Sequence, residues 1–333
     1  MSQSADAISE GGEFARRTEP FRRELLAHCY RMLGSIDEAE DLVQETYLRA
    51  WRAYGGFEGR SSLRVWLYRI ATNACLSALQ HSSRRALPSG LGGPVEDQEA
   101  VPAVAAPDVR WLQPIADALV TPESEDPAVI VAGREGLRLA LIASLQHLPA
   151  RQRAVLILRE VLAFPAAEVA AMLDTSTAAV KSLLQRARSR LEQVASAAEQ
   201  VDEPAEPELR ELLEQYITAF ENADVSAMEQ VLRKDAALEV VPSGTWVAGR
   251  EHCLRIIREV LGSPGDWRML PTSANGQPAA AAYLRGDDGT HRAFGIAVLT
   301  TTSTGIARIV VFGEPDLVTS FGFPPVHPPS AGG

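Results

Sequence analysis

Phe164-Pro-Ala-Ala-Glu-Val-Ala-Ala-Met-Leu-Asp-Thr-Ser-Thr-Ala-Ala-Val-Lys-Ser-Leu-Leu-Gln-Arg-Ala-Arg-Ser-Arg-Leu191 reads as two helices joined by a tight turn. Val180, Leu183, Leu184, Ala187 and Leu191 recur at the helical period and form one apolar stripe. Thr177, Lys181, Gln185 and Arg188 lie on the opposite face, with Arg186 and Arg190 at its flank. Ser176 stands where an N-cap belongs, so its hydroxyl can satisfy an early orphan amide. A helix of this kind can dock on a core and push amide, hydroxyl and guanidinium groups into a major groove.

A charged outer face alone is ordinary solvated surface, so the neighbours of this helix decide how it is read. The helix before it is short, about Pro165 to Leu173, with proline in the opening turn where it is tolerated. A further amphipathic helix, Arg151 to Leu162, precedes both. Three helices can then enclose Val155, Leu158, Val169, Leu173, Val180 and Leu184. Asp174 takes the turn position where glycine is common, and aspartate tolerates left-handed geometry better than most residues. The spacing predicts a helix-turn-helix with DNA as its partner.

Net charge is −11 over 333 residues, which looks wrong for a nucleic-acid binder until it is apportioned. No acidic residue falls between Gly59 and Val95, where Arg60, Arg64, Arg69, Arg84 and Arg85 are present. From Glu199 onward, nineteen acidic residues face ten basic ones, so the acidity belongs to the C-terminal part. Screening confines charge effects to about 8–10 Å at physiological salt, so the local field governs phosphate contact. No apolar run reaches membrane-spanning length, and Met1 to Glu13 is polar and acidic, so neither an anchor nor a signal peptide is expected. Cys29, Cys75 and Cys253 form no metal-type spacing; buried free thiols in the cytoplasm are expected, with no metal and no cofactor.

Composition divides the chain into blocks. Residues 14–85 are helical in pattern, 86–128 form a proline-rich, acidic linker of extended, mobile type, and 129–195 hold the helix-turn-helix. Trp111, Leu112 and Ile115 suggest a docking point within the linker. The last block, 205–324, mixes helices at about 207–222 and 249–261 with β-branched strands, including a hairpin of Ala293–Thr302 and Gly305–Gly313.

Glu38-Ala-Glu-Asp-Leu-Val-Gln-Glu-Thr-Tyr-Leu-Arg-Ala-Trp51 is a helix with Ala39, Leu42, Val43, Thr46 and Ala50 inward and Trp51 closing its end. Glu38, Asp41 and Glu45 run outside with Gln44 beside them, a ridge suited to a basic protein surface and repellent to DNA. Phe57 to Cys75 then interleaves Phe57, Trp66 and Tyr68 with arginines, serines and Asn73, a mixture suited to unstacked bases. Each aromatic taken alone is as well explained by packing.

In combination these segments resemble bacterial sigma factors of the extracytoplasmic-function (ECF) group. The Asp41-Leu-Val-Gln-Glu-Thr46 helix resembles the region 2 segment that grips the polymerase clamp. Phe57 to Asn73 resembles the stretch that opens and reads the −10 element. Asp126-Pro127 followed by the helix-turn-helix resembles region 4, which reads the −35 element. Trp111-Leu-Gln-Pro114 and the C-terminal extension, with Asn275 through Tyr283 and Phe321-Gly-Phe-Pro324, resemble a sub-group carrying a SnoaL-like domain. The resemblance implies a multidomain fold, two all-α helical sigma domains followed by an α+β SnoaL/NTF2-like cone. It implies core RNA polymerase (β′ clamp and β flap) and promoter DNA as partners, with no catalytic residue given to transcription. The expected polymerase contacts are Glu38, Asp41, Leu42, Gln44, Glu45 and Thr46. The expected −10 contacts are Arg60, Ser61, Ser62, Arg64 and Asn73, and the −35 contacts Ser176, Thr177, Lys181, Ser182, Gln185, Arg186 and Arg188. In the cone, Trp246, His252, Asn275 and Tyr283 are the expected lining of a ligand pocket, with Asp235, Glu239 and His291 as further polar candidates. The C-terminal domain is expected to modulate activity, through intramolecular contact with the sigma domains. The alternatives are a helix-turn-helix regulator with a ligand-sensing domain, which has no use for the acidic ridge, and a cyclase-like enzyme, which needs a complete acid/base set in the cone.

Overall fold

The computed structural model describes residues 11–81, 85–91, 94, 109–121, 135–195 and 206–327. By contact the chain forms two units, one of residues 1–84 and 119–198, the other of 85–118 and 199–333. Asp126 and Pro127, which the resemblance sets ahead of the helix-turn-helix, lie outside the described residues.

In the helical unit, α1 (Arg22–Leu33), α2 (Ile36–Ala53) and α3 (Leu63–Ala78) pack together. Gly34 ends α1 in the left-handed conformation, φ 70°, and its N–H reaches the Tyr30 carbonyl at 2.7 Å. The next residue, Ser35, caps α2 by accepting from the Glu38 N–H at 3.4 Å. These two residues set the tight angle between the helices. Leu25, Cys29, Met32, Val43, Leu67 and Ala71 meet in the interior. Cys29, Cys75 and Cys253 are all buried free thiols. Its hydrogen bond with Cys29, together with burial, pushes the Cys75 thiol well above its ordinary value, so it stays protonated.

The second half of this unit contains α4 (Leu139–Leu145), α5 (Ala150–Leu156), α6 (Ala166–Met172) and α7 (Thr177–Ala195). A wider π turn, Ile157–Val161, extends α5. Val155, Leu158, Val169, Leu173 and Val180 are buried together as the spacing predicts, while Leu184 is half-buried. Asp174 adopts φ 50°, the left-handed turn geometry read from the sequence.

The other unit is a six-stranded sheet of β1 (Leu232–Val241), β2 (Thr245–Ala248), β3 (Trp267–Ala274), β4 (Gln277–Arg285), β5 (His291–Thr302) and β6 (Gly305–Phe312). Their order is β2-β1-β6-β5-β4-β3, with β1 and β6 parallel and every other pair antiparallel. Asn275 and Gly276, φ 56° and 69°, make the two-residue turn between β3 and β4. Helices α8 (Glu206–Glu221), α9 (Val225–Val231) and α10 (Arg250–Leu261) supply Leu213, Tyr216, Phe220, Met228, Leu254 and Ile257 to the same core as Leu238, Trp267 and Ile309 of the sheet. At Gly295 a Cβ would fall 1.9 Å from the Phe312 carbonyl oxygen, so only glycine lets β5 and β6 approach there.

The linker departs from its sequence reading. Its described parts are docked rather than free. Ala86 and Trp111 form a parallel bridge, and Trp111, Leu112 and Ile115 are buried. The Ser89 N–H donates to Glu239 Oε2 at 2.9 Å. Ile115 exchanges two hydrogen bonds with Asn275, its N–H to Oδ1 at 3.0 Å and its carbonyl from the Asn275 N–H at 3.0 Å. Asp117 Oδ1 accepts from the Gly276 N–H at 2.7 Å. Residues 85–91 and 109–118 therefore form a strap on the α+β unit. Strand alternation puts Glu239 on the face opposite Leu238 and Val240, and that is the face the strap covers.

Candidate nucleic-acid interface

The recognition helix α7 is built as an outward-facing reader. Val180 and Ala187 are fully buried, and Leu183, Leu184 and Leu191 are half-buried along the same stripe. Ser176 caps the helix by accepting from the Ala179 N–H at 3.1 Å. Ser176, Thr177, Lys181, Ser182, Gln185, Arg186 and Arg188 are all exposed, so the whole expected set shares one accessible surface. Arg188 pairs with Glu160 of the preceding π turn at 2.5 Å and must exchange that partner to meet a phosphate. Arg151 holds the turn from below, donating to the Leu173 carbonyl at 2.9 Å.

The acidic ridge on α2 is accessible at Asp41 and Gln44 and half-buried at Glu38, Leu42 and Glu45. Glu45 is bridged by Arg49 one turn on, at 2.7 Å. Thr46 corrects the expected contact set. It is fully buried, and its hydroxyl donates back to the Leu42 carbonyl at 2.6 Å, so it supports the ridge from inside and cannot touch a partner. Trp51 lies in the last turn of α2, two residues before its end, and stays 39% exposed, with Phe14 edge-on to it at 5.3 Å.

The expected −10 residues divide into two kinds. Arg60, Ser61 and Ser62 lie on the open loop before α3. Ser62 caps that helix, accepting from the Val65 N–H at 3.2 Å, and Arg60 pairs only with its neighbour Glu58 at 2.6 Å. Arg64 is half-buried and engaged within the unit, while Asn73 is exposed and makes one hydrogen bond within it. Arg64 bridges Glu24 at 2.8 Å and lies over the rings of Tyr68 (5.0 Å) and Phe164 (4.6 Å). The Asn73 amide donates to the Met172 carbonyl at 3.4 Å. Both therefore touch the helix-turn-helix half.

Two arginines not picked out from the sequence complete this seam. Arg153, 4% exposed, donates to the Met32 carbonyl at the end of α1 and also to Gln146 Oε1 and the carbonyls of Gln146 and Leu148. Arg31 donates to the Gly136 carbonyl at 2.8 Å. Burial lowers both guanidinium groups to about 10, which leaves them charged at neutral pH. A cation set against helix-terminal carbonyls is also favoured by the helix dipole. Sequence reading passed over these arginines because a basic residue on an amphipathic helix is ordinarily a solvated one.

In the α+β unit the four expected pocket residues do not converge. Trp246 stands opposite Glu239 in the β1–β2 ladder. His252 Nδ1 is 2.8 Å from the Ala248 carbonyl. Asn275 holds the strap, and the Tyr283 hydroxyl donates to the Pro324 carbonyl at 2.9 Å. None of the four lines the apolar cavity beneath α8 and α10, which is walled by other side chains. Among the described residues there is no group of three or more His, Cys, Asp and Glu side chains that could hold a metal ion.

Comparison with known proteins bears on this geometry. The Sigma-70 region 2 family matches residues 18–85, and the Sigma-70, region 4 family matches residues 138–191. The ECF RNA polymerase sigma factor SigG of Mycobacterium tuberculosis is 49% identical over 316 residues, covering 94% of this chain and 84% of SigG. The chain belongs to the ECF RNA polymerase sigma factors. As a sigma factor it binds core RNA polymerase and promoter DNA in transcription initiation. The probable ECF sigma factor SigI of the same species is 28% identical over 88% of this chain and 91% of its own length. The crystal structure of Mycobacterium tuberculosis SigJ shares the fold of this sigma factor, with a TM-score of 0.58 and 22% identity over 93% of this chain and 99% of SigJ. No described helix is long and apolar enough to cross a membrane.

Proposed function

We propose that this sigma factor docks on core polymerase through the exposed face of α2 and reads its promoter with two surfaces that must separate first. Asp41 and Gln44, flanked by Glu38, Leu42 and Glu45, form the polymerase contact. Thr177, Lys181, Ser182, Gln185, Arg186 and Arg188, with Ser176 at the cap, meet the −35 duplex. Arg60, Ser61 and Ser62 meet the −10 strand directly, and Arg64 and Asn73 join them once they leave Phe164 and Met172. The observation that carries this reading is the recognition helix, which buries Val180 and Ala187 while leaving every expected contact open.

Separation is physically accessible. The hydrogen bonds across the seam are each worth about 0.5–1.5 kcal/mol net because water or phosphate can replace the partner, and the Tyr68–Phe164 ring contact beside them adds about 0.5–1.5 kcal/mol beyond its burial. Unstacking a base step costs a few kcal/mol, which contacts from the freed Arg64 and Asn73 help to offset. The chain contributes no catalytic group and works in the cytoplasm, where the polymerase forms the phosphodiester bonds. The C-terminal domain modulates activity by holding residues 85–91 and 109–118, which lie in sequence between the two helical halves, through Glu239 and Asn275.

Capture of core polymerase by the wild type and by Asp41→Arg tests the docking surface. Reversing one exposed charge should weaken capture at least about tenfold, or about 1.4 kcal/mol, with the helical content unchanged. Equal capture by the two proteins would remove α2 from the interface.

A further inference from the structure

Helices α1 and α3 are cross-linked by a ladder of side-chain rungs. Glu24 takes the Arg64 guanidinium at 2.8 Å and the Tyr68 hydroxyl at 3.2 Å, and His28 Nε2 stands 2.9 Å from the Thr72 hydroxyl. The next rung is a pair of thiols. Cys29 on α1 and Cys75 on α3 are both fully buried, form no disulfide and share a hydrogen bond. Neither the polymerase ridge nor the promoter-reading surfaces make use of them.

The region 4 half covers this rung. Arg153 of α5 lies beside Cys75 and donates to the Met32 carbonyl, one turn beyond Cys29. The Asn73 amide, two residues before Cys75, donates to the Met172 carbonyl of α6 at 3.4 Å. While these contacts hold, the hydrogen bond to Cys29 and then burial keep the Cys75 thiol well above its ordinary value, and Arg153 lowers it by less. A thiol held in that way offers no thiolate and is inert to oxidants. Moving the region 4 half away takes Arg153 from its place and lets water reach the pair.

We propose that Cys29 and Cys75 are an oxidation site, a dithiol that hydrogen peroxide converts to a disulfide once the region 4 half has moved away; this rests on the separation proposed above. The chemistry is a two-electron exchange. One thiolate attacks a peroxide oxygen, the O–O bond breaks and hydroxide leaves, giving a sulfenic acid. The second thiol attacks the sulfenic sulfur, an S–S bond forms, and the S–OH oxygen departs as water with the proton of that thiol. Two thiols and one hydrogen peroxide thus give one disulfide and two waters. The hydrogen bond already holds the two sulfurs in contact, so the helices need no rearrangement to bring them together. The cross-link joins the same two helices as the Glu24–Arg64 rung, so it acts on the −10 side of an opened sigma factor, and thiol exchange reverses it.

The test treats the full chain with hydrogen peroxide, alone and bound to core polymerase, then blocks the remaining thiols under denaturing conditions and reads the peptides by mass spectrometry. The free wild type should form the Cys29–Cys75 disulfide slowly. Arg153→Met, which loosens the seam without polymerase, should speed it at least about tenfold, and Asn73→Ala about threefold; the second variant carries the test should the first fail to fold. Core polymerase should speed the wild type at least about tenfold, while Cys253 in the α+β unit keeps its rate throughout. Cys29→Ser should send Cys75 on to the sulfinic acid instead of a cross-link. No cross-link in any sample, or separate oxidation of the two thiols in the wild type, would overturn the dithiol. Equal rates in the free wild type, the seam variants and the polymerase complex would overturn the gate. Faster cross-linking in the seam variants with no change on adding polymerase would uphold the site and remove the proposed separation instead.

Discussion

The two units solve opposite problems. In the helical unit the joint between the region 2 and region 4 halves joins polar contacts to backbone, Arg31 to Gly136, Arg153 to Met32 and Asn73 to Met172, to a single edge-to-face ring contact of Tyr68 on Phe164 at 5.0 Å among the described residues. The α+β unit is held by a continuous sheet and by apolar side chains that have no partner in water. Hydrogen bonds can be traded for water or phosphate at small net change, whereas exposing a packed apolar face costs about 25 cal/mol for each Å². A joint that must open for function is therefore better closed where polar contacts predominate over packing, and a sheet core that stays closed is better held by apolar packing.

Arg153 is where that contrast is most exposed to test. Replacing it with methionine leaves the Met32, Gln146 and Leu148 carbonyls and Gln146 Oε1 without their donor. The expected loss is about 3 kcal/mol in the stability of the helical unit, read as a lower urea midpoint. A midpoint within error of the wild type would mean that the seam does not depend on this cation.

Glu239→Gln probes the α+β unit in the same way. Glu239 is fully buried and accepts from Ser89 and from Arg308, the latter at 2.8 Å. Removing its charge should weaken the hold on the strap by about 2 kcal/mol, or roughly a thirtyfold rise in the released population. Proteolytic cleavage within residues 85–91 and 109–118 follows that population and should accelerate accordingly. Cleavage at the wild-type rate would show that the strap is held elsewhere.

A smaller, graded effect is expected from pH. His28 is completely buried, with Nε2 2.9 Å from the Thr72 hydroxyl and Nδ1 without a partner among the described residues. Burial, then the nearby Arg31, lowers its pKa from 6.5 to about 3. The unfolded chain therefore binds a proton that the folded chain refuses below pH 6.5. This contribution is present in full above pH 6.5 and is lost as pH falls from there toward 3, at about 1.4 kcal/mol per pH unit. Urea midpoints at pH 7.5 and 5.0 should show the loss, and His28→Asn should reduce it. An equal loss in the variant would assign the acid sensitivity to other groups.

The sequence disclosed what periodicity and local chemistry control. The recognition helix, its Ser176 cap and the left-handed Asp174 were legible because each is set within a few residues. The β5–β6 hairpin was legible for the same reason, from β-branched runs around a short turn. Thr46 was misassigned as a contact because it belongs to a motif whose other members face outward, while the helical period already turned it inward. The strap was read as mobile linker from its prolines, since nothing local announces that Glu239 and Asn275, more than a hundred residues on, will hold it. The pocket lining was misjudged in a related way. Polar and aromatic residues were selected for their chemistry, but strand alternation places Trp246 on the face away from the cavity, and the cavity is walled by side chains that sequence reading counts only as core.

The central claim is that Arg64 packs on Phe164 and Asn73 bonds to Met172 in the free protein, and that both leave the region 4 half when the polymerase binds. Fluorescence energy transfer between labels on Ser77→Cys and Ser189→Cys, exposed positions on α3 and α7, measures that separation directly, the three native thiols being buried. The expected result is high transfer in the free protein and a large fall on adding core polymerase. Transfer that stays unchanged in a complex that still initiates at a promoter would contradict the account.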